Sequence, residues 1–189
     1  MPRVLMPLAD GVEEMEAVIV VDVLRRAGWT VVTVGLGPGP VTSSRQIRLL
    51  PDAVWPAGSA HAFDVLVIPG GAAGVERLAS HTGVLEVVRE FHAANRWIGA
   101  ICAGPLVLQA AGILHGRQIT CHPAVASRLT AASRRPERVV MDGRIVTSQG
   151  PGTAMEFALA LVRLIEGPDK AASLAASMVV QASGMQPEP

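Results

Sequence analysis

Residues 64–71 read D-V-L-V-I-P-G-G. After Asp64 nothing polar interrupts the run, so it does not alternate as a half-exposed strand would. A strand of this kind is covered on both faces, which points to a sheet with helices on either side. The flanking sequence provides them. R-V-L-M-P (3–7) reads as a first strand and residues 13–28 as a helix, with Gly28 in the left-handed position that closes it. W-T-V-V-T-V-G (29–35) is a second strand, 82–95 a helix, 97–101 a strand and 104–111 a helix. In R-V-V-M-D-G-R-I-V-T-S (138–148) an Asp-Gly pair between two β runs signals a hairpin. Residues 153–167 form a long helix ending at Gly167, and 169–181 a further Ala-rich one before a Gly-Met-Gln-Pro-Glu-Pro tail. This alternation predicts an α/β fold with a mainly parallel central sheet. No repeat, low-complexity tract or linker divides it, so residues 1–189 read as one domain, with 169–189 an added C-terminal helix and tail.

Composition removes several classes of function. Lys+Arg and Asp+Glu both number 16, so no basic excess drives binding to nucleic acid. No uncharged apolar stretch nears the roughly 18 residues of a membrane span, and the first residues lack the features of a secretory signal. A cytoplasmic protein with reduced thiols is therefore expected. Two cysteines are too few for a disulfide framework, and Cys102, Cys121 and His122 lack the spacing and fourth group of a metal site, so no metal is expected.

In open α/β sheets, ligands bind beyond the carboxyl ends of the strands. Two turns there carry unusual chemistry: Pro69-Gly70-Gly71 and Cys102-Ala103-Gly104-Pro105. A cysteine between a strand end and a helix start projects from a tight elbow, toward the positive end of the next helix, which favours thiolate. It is also a small apolar residue of a type often buried as filler. Gly70 and Gly71 let backbone N–H groups face a ligand, and the amides of Gly71 and Ala103 together would form an oxyanion hole; the same glycines serve equally in an ordinary loop. Glu16 falls near Ile19 and Val23 on the first helix, toward its apolar side. A carboxyl there needs a partner or a proton, and beside Cys102 it would hold the proton and shuttle it. The helix is apolar nearly all round, so periodicity alone leaves Glu16 undecided, and the same roundness suggests a helix buried between subunits. Glu13 and Glu14 read as carboxylates complementing the helix N-terminus. His122 is a candidate base for Cys102 or a structural loop residue; His61, His81, His92 and His115 read as surface.

Seven segments in order resemble the ThiJ/PfpI superfamily, specifically its parkinsonism-associated deglycase group with bacterial YajL-like members. They are G-V-E-E-M-E (11–16), V-D-V-L-R-R-A-G (21–28), S-S-R (43–45), V-I-P-G-G (67–71), A-I-C-A-G-P (100–105), C-H-P (121–123) and T-S-Q-G-P-G-T-A-M-E-F-A-L (147–159). The resemblance implies a flavodoxin-like, class I glutamine amidotransferase-like sandwich and a homodimer formed through the first helix. By motif it makes Cys102 the nucleophile, Glu16 the protonated carboxyl beside it and His122 the nearby histidine. It places the Gly71 and Ala103 amides at the oxyanion, Gly70, Arg45 and Arg26 at the substrate pocket, and Pro151 as its wall. Ala103 stands where protease-like branches keep histidine, and Pro123-Ala124 after His122 offers no acid, so neither peptidase nor glutaminase activity is expected. Leu50 stands where the group often carries a second cysteine, which leaves redox chemistry to Cys102.

The resemblance implies a cofactor-independent glyoxalase III-type or deglycase activity on methylglyoxal, glyoxal or their adducts on amines. The alternative is an oxidative-stress sensor or redox-regulated chaperone acting through oxidation of the same cysteine. Both need one reactive thiol, and the residues do not separate them.

Overall fold

The computed structural model describes residues 1–56 and 60–180. The expected Gly-Met-Gln-Pro-Glu-Pro tail (184–189) and the last residue of the expected helix 169–181 lie outside the described residues. In chain order the elements are β1 (Arg3–Leu8), α1 (Glu14–Arg26), β2 (Thr30–Gly35), β3 (Val41–Thr42), β4 (Arg48–Leu49), β5 (Ala53–Val54), β6 (Val65–Ile68), α2 (Ala72–Ser80) and α3 (Thr82–Ala93). There follow β7 (Trp97–Ile101), α4 (Pro105–Ala110), β8 (Gln118–Ile119), β9 (Ser133–Arg134), β10 (Val139–Asp142), β11 (Ile145–Ser148), α5 (Ala154–Glu166) and α6 (Pro168–Ser177).

Seven strands make one sheet in the order β10-β11-β7-β6-β1-β2-β5. All neighbours are parallel except β10, which runs antiparallel to β11. The expected hairpin is there, but Asp142 pairs with Ile145, so the turn is Gly143-Arg144 rather than Asp142-Gly143. All four residues of β6 are buried. Val65 and Val67 point into one core, with Val20 and Leu24 of α1 and Phe157 and Leu161 of α5. Leu66 and Ile68 point into the other, with Leu78, Val88 and Phe91 of α2 and α3. The alternation of a strand thus survives in β6 as two apolar faces, the reason the sequence shows no polar alternation.

The chain adds strands on one side of β1 through β2 and on the other through β6, β7 and β11. The order therefore reverses between β1 and β6, at the kind of position where open α/β sheets leave a crevice. The loop after β1, the turn after β6 and the elbow after β7 all open onto that edge. Helix α2 is an element the sequence analysis does not predict, although Val75 and Leu78 carry a helical spacing. It fills the space directly after Gly71 and brings a second helix start to the crevice. Among the described residues, no helix is long and apolar enough to cross a membrane.

Phe157 is fully buried in the α1–α5 core, while Met141 on the edge strand is 53% exposed. Phe157→Ala is expected to cost about 3–5 kcal/mol in urea unfolding, and Met141→Ala within about 0.5 kcal/mol.

Candidate active site

Strand β7 ends at Ile101, and Cys102 follows with φ 63°, a left-handed conformation that side-chain-bearing residues rarely adopt. Both of its backbone groups are tied down. The Cys102 N–H donates to the Ser148 carbonyl at 2.9 Å, and its carbonyl accepts from the His122 N–H at 3.0 Å. These bonds hold the elbow in a conformation costing on the order of 1–2 kcal/mol, with the sulfur thrown outward toward the crevice.

Glu16 reaches the same point from α1. Its side chain has no exposure, and Oε2 accepts the Gly70 N–H at 2.7 Å. Gly70 has no side chain because there is no room for one: a Cβ would lie 2.6 Å from Glu16 Oε2 and 3.0 Å from Cys102 Sγ. Gly71 is constrained by the backbone instead. Its φ is +91°, and a Cβ would run into the Gly11 carbonyl oxygen and lie 2.5 Å from the Glu13 nitrogen. The loop after β1 is packed onto this turn, with the Glu13 N–H donating to the Gly70 carbonyl at 3.0 Å.

Burial pushes the Glu16 carboxyl up to about 7, with the Glu13 charge adding to the rise and donation from the Gly70 amide and the Cys102 thiol opposing it. The shape of the site favours the protonated acid as well. Oε1 is buried and has no hydrogen-bond partner among the described residues, so an ionised carboxylate would be only half satisfied.

The sequence predicts a thiol depressed by the following helix; the structure gives a different cause and sign. Burial pushes Cys102 up, and an ionised Glu16 beside it adds charge and hydrogen-bond contributions, taking it to about 12. The Gly71 and Ala103 amides pull the other way. Helix α4 has only six residues, and its dipole is too short to dominate. The two groups titrate as a pair, however. Burial raises the thiol in either state, but the charge and hydrogen-bond contributions of Glu16 exist only while Glu16 is ionised. With the shared proton on Glu16 those two contributions are gone, and the Gly71 and Ala103 amides remain to favour thiolate.

The crevice in front of Cys102 is an open cavity of about 770 Å³. Gly71, Cys102, Ala103, His122, Arg45 and Pro151 all line it. His122 is half-buried; its Nδ1 accepts the Ala124 N–H at 3.2 Å, and among the described residues no hydrogen bond joins the ring to the sulfur. Gly70 lies behind the sulfur and serves Glu16. Arg26 is not brought to the cavity within this chain: it sits exposed in the last turn of α1, paired with Asp22 at 2.6 Å. Its place in the motif gave no information on which way the helix end faces.

The loop from which the resemblance took Arg45 also brings Ser43 and Ser44 to the cavity, two residues that the sequence analysis gave no role. The Ser44 N–H donates to the Val12 carbonyl at 2.8 Å, and the Ser44 hydroxyl lies 2.8 Å from Glu13 and 2.9 Å from Glu14. Glu14, read as an outward carboxylate at the helix start, is in fact buried under this loop. Burial acts to raise its pKa, but donors from its own backbone, Ser44, Ser43 and Arg45 outweigh that and hold it below the ordinary value. Arg77 of α2 also faces the cavity, held by the Asp10 and Ala73 carbonyls at 3.0 Å each. Helical spacing from Val75 and Leu78 was the available signal for its helix. Among the described residues no group of three or more His, Cys, Asp or Glu side chains is arranged to hold a metal ion.

Comparison with known proteins places this geometry. The model of the DJ-1/PfpI family matches residues 2–164. Protein DJ-1 homolog B of Arabidopsis thaliana is 41% identical over 95% of this chain, and the chain spans 41% of that protein's length. The glutathione-independent glyoxalase DJR-1.2 of Caenorhabditis elegans is 39% identical, over 90% of this chain and 91% of its own. Among solved structures, Drosophila melanogaster DJ-1beta superposes with a TM-score of 0.91 at 38% identity, covering 95% of this chain and 98% of its own.

The Glu16–Cys102 pair makes stability depend on pH. The folded-state Glu16 value of about 7 lies above the ordinary 4.5, so the native protein binds this proton more tightly than the unfolded chain. The resulting stabilisation is complete below 4.5 and gone above about 7. Relative to Glu16→Gln, the wild type should lose about 3 kcal/mol between pH 4.5 and pH 8 in urea unfolding. In the same pair of proteins, the midpoint of Cys102 alkylation should lie at lower pH in the wild type than in Glu16→Gln. Coincident midpoints would show that Glu16 does not govern the sulfur.

Proposed function

The chain belongs to the DJ-1/PfpI family, and from that premise we propose that it is a cofactor-independent glyoxalase III-type or deglycase enzyme acting on methylglyoxal, glyoxal or their adducts through Cys102. The observation that carries this reading is the elbow: a left-handed cysteine, at φ 63°, whose sulfur meets a protonatable buried carboxyl and two backbone amides. The glyoxalase name of the nematode relative supports the aldehyde as substrate.

The groups suffice for the reaction. The Cys102 thiolate adds to the aldehyde carbon and forms a C–S bond, and the carbonyl electrons move onto oxygen opposite the Gly71 and Ala103 amides. Glu16 gives its proton to that oxygen. The carboxylate left behind takes the hydrogen from the former aldehyde carbon as a proton and returns it to the neighbouring carbon, while the hydroxyl proton passes to the neighbouring ketone oxygen, leaving a 2-hydroxy thioester. Water cleaves the thioester, releasing the 2-hydroxy acid and the free thiol, so methylglyoxal plus water yields lactate. No external oxidant or cofactor enters the balance. A deglycase would act on the same carbon after it has been captured by an amine, and the open cavity of about 770 Å³ has room for such a carrier. His122 lines the space in front of the sulfur and can hold the attacking water. The half-exposed Met15 and Val18 of α1 support a homodimer through this helix.

The same pocket favours one second reading. An oxidised sulfur anion would find Glu16 and the two amides already in place as donors, which suits a redox sensor or redox-regulated chaperone. One assay separates the two. With methylglyoxal, wild type should release lactate, Cys102→Ser should fall by about three orders of magnitude or more, and Glu16→Gln by about 10²–10⁴. A wild type no faster than Cys102→Ser would sink the enzyme reading. Stoichiometric peroxide uptake at Cys102 without turnover would then establish the sensor.

A further inference from the structure

Two hydroxyl groups lie buried behind the site and play no part in the chemistry just described. Ser148, the last residue of β11, has no exposure, and Thr153 only 4%. Their oxygens are 2.6 Å apart. The Ser148 hydroxyl also donates to the Arg138 carbonyl at 2.8 Å. Thr153 Oγ1 accepts the Gly150 N–H at 3.0 Å and lies 2.9 Å from the Gly150 carbonyl.

These contacts close a circuit around the elbow. The Ser148 carbonyl holds the Cys102 N–H, and the Cys102 carbonyl holds the His122 N–H. The His122 ring packs toward Gly150, where a Cβ would come within 3.3 Å of its Cδ2. Gly150 is fixed by the Thr153 hydroxyl, which returns to Ser148. Pro151, between Gly150 and the threonine, is the cavity wall. A pair of hydroxyls in a dry site is worth keeping only when every member is satisfied, and here both are. A valine in place of Thr153 would fill the same volume but leave the Gly150 amide buried without its acceptor.

We propose that the Ser148–Thr153 hydroxyl pair is a positioning device: it sets the distance of the Gly150-Pro151 wall and the His122 ring from Cys102, and so the size of group the sulfur accepts. Its consequence for turnover rests on the glyoxalase or deglycase reading; its consequence for access to the sulfur does not.

The test therefore has two arms, on wild type, Thr153→Val and Thr153→Ser, all compared at a temperature where unfolding curves show them folded. In the first, Cys102 is alkylated with iodoacetamide and with a bulky aryl maleimide. Thr153→Val should raise the ratio of maleimide to iodoacetamide rates about threefold or more, and Thr153→Ser, which keeps the hydroxyl, should restore the wild-type ratio. In the second, methylglyoxal kinetics should show KM raised about tenfold in Thr153→Val, the effect of roughly one lost buried hydrogen bond, with kcat within about twofold and again rescue by serine. If the wild type has no turnover, the function reading fails and the alkylation arm still decides the positioning role. An unchanged alkylation ratio in folded Thr153→Val overturns the proposal, as does a Thr153→Ser variant that behaves like valine. Should Thr153→Val not fold, Ser148→Ala is read by the same ratio.

Discussion

The candidate site of this molecule is organised around one contact, a buried carboxyl beside a thiol. Two adjoining acids, one buried and one half-buried, resist ionising together, so they share protons as a coupled pair. Glu16, with one oxygen on the Gly70 amide and the other buried without a partner among the described residues, is shaped to retain the shared proton. Cys102, facing the amides of Gly71 and Ala103, is shaped to lose it. Neither group has this behaviour alone. Burial by itself raises both groups, and a proton kept on the carboxyl spares the sulfur the charge that an ionised Glu16 would place beside it.

The surrounding backbone follows from keeping that contact short. Gly70 has to be glycine because Glu16 and Cys102 occupy the place of its side chain, and Gly71 because the loop after β1 lies directly on it. The positive φ of Cys102 is the complementary strain, held by bonds to Ser148 and His122 on two different segments. A strand order that reverses between β1 and β6 brings α1, the Gly70-Gly71 turn and the β7 elbow to one edge, so the fold supplies the convergence and the glycines permit the closeness.

Much of this was legible in the chain. The uninterrupted V-L-V-I run implied a doubly covered strand, and β6 is buried on both faces. The cysteine between a strand and Ala-Gly-Pro implied an elbow, because few residues separate β7 from α4. Other features were hidden for identifiable reasons. Glu16 could not be assigned a side because α1 is apolar around most of its circumference. Glu14 read as exposed because helical phase says nothing about a loop from residues 43–45 folding over the first turn. Arg26 read as a pocket residue from its motif, yet α1 carries it to the far end, where Asp22 pairs with it.

The sequence by itself determined the architecture, the candidate nucleophile and the family, since local periodicity, turn residues and ordered motifs survive in one dimension. The tertiary structure decided the state of that nucleophile. Whether a thiol reacts depends on its desolvation, on a carboxyl 86 positions earlier in the chain and on amides from two separate turns. These are distances in space, and only the folded sheet edge makes them short.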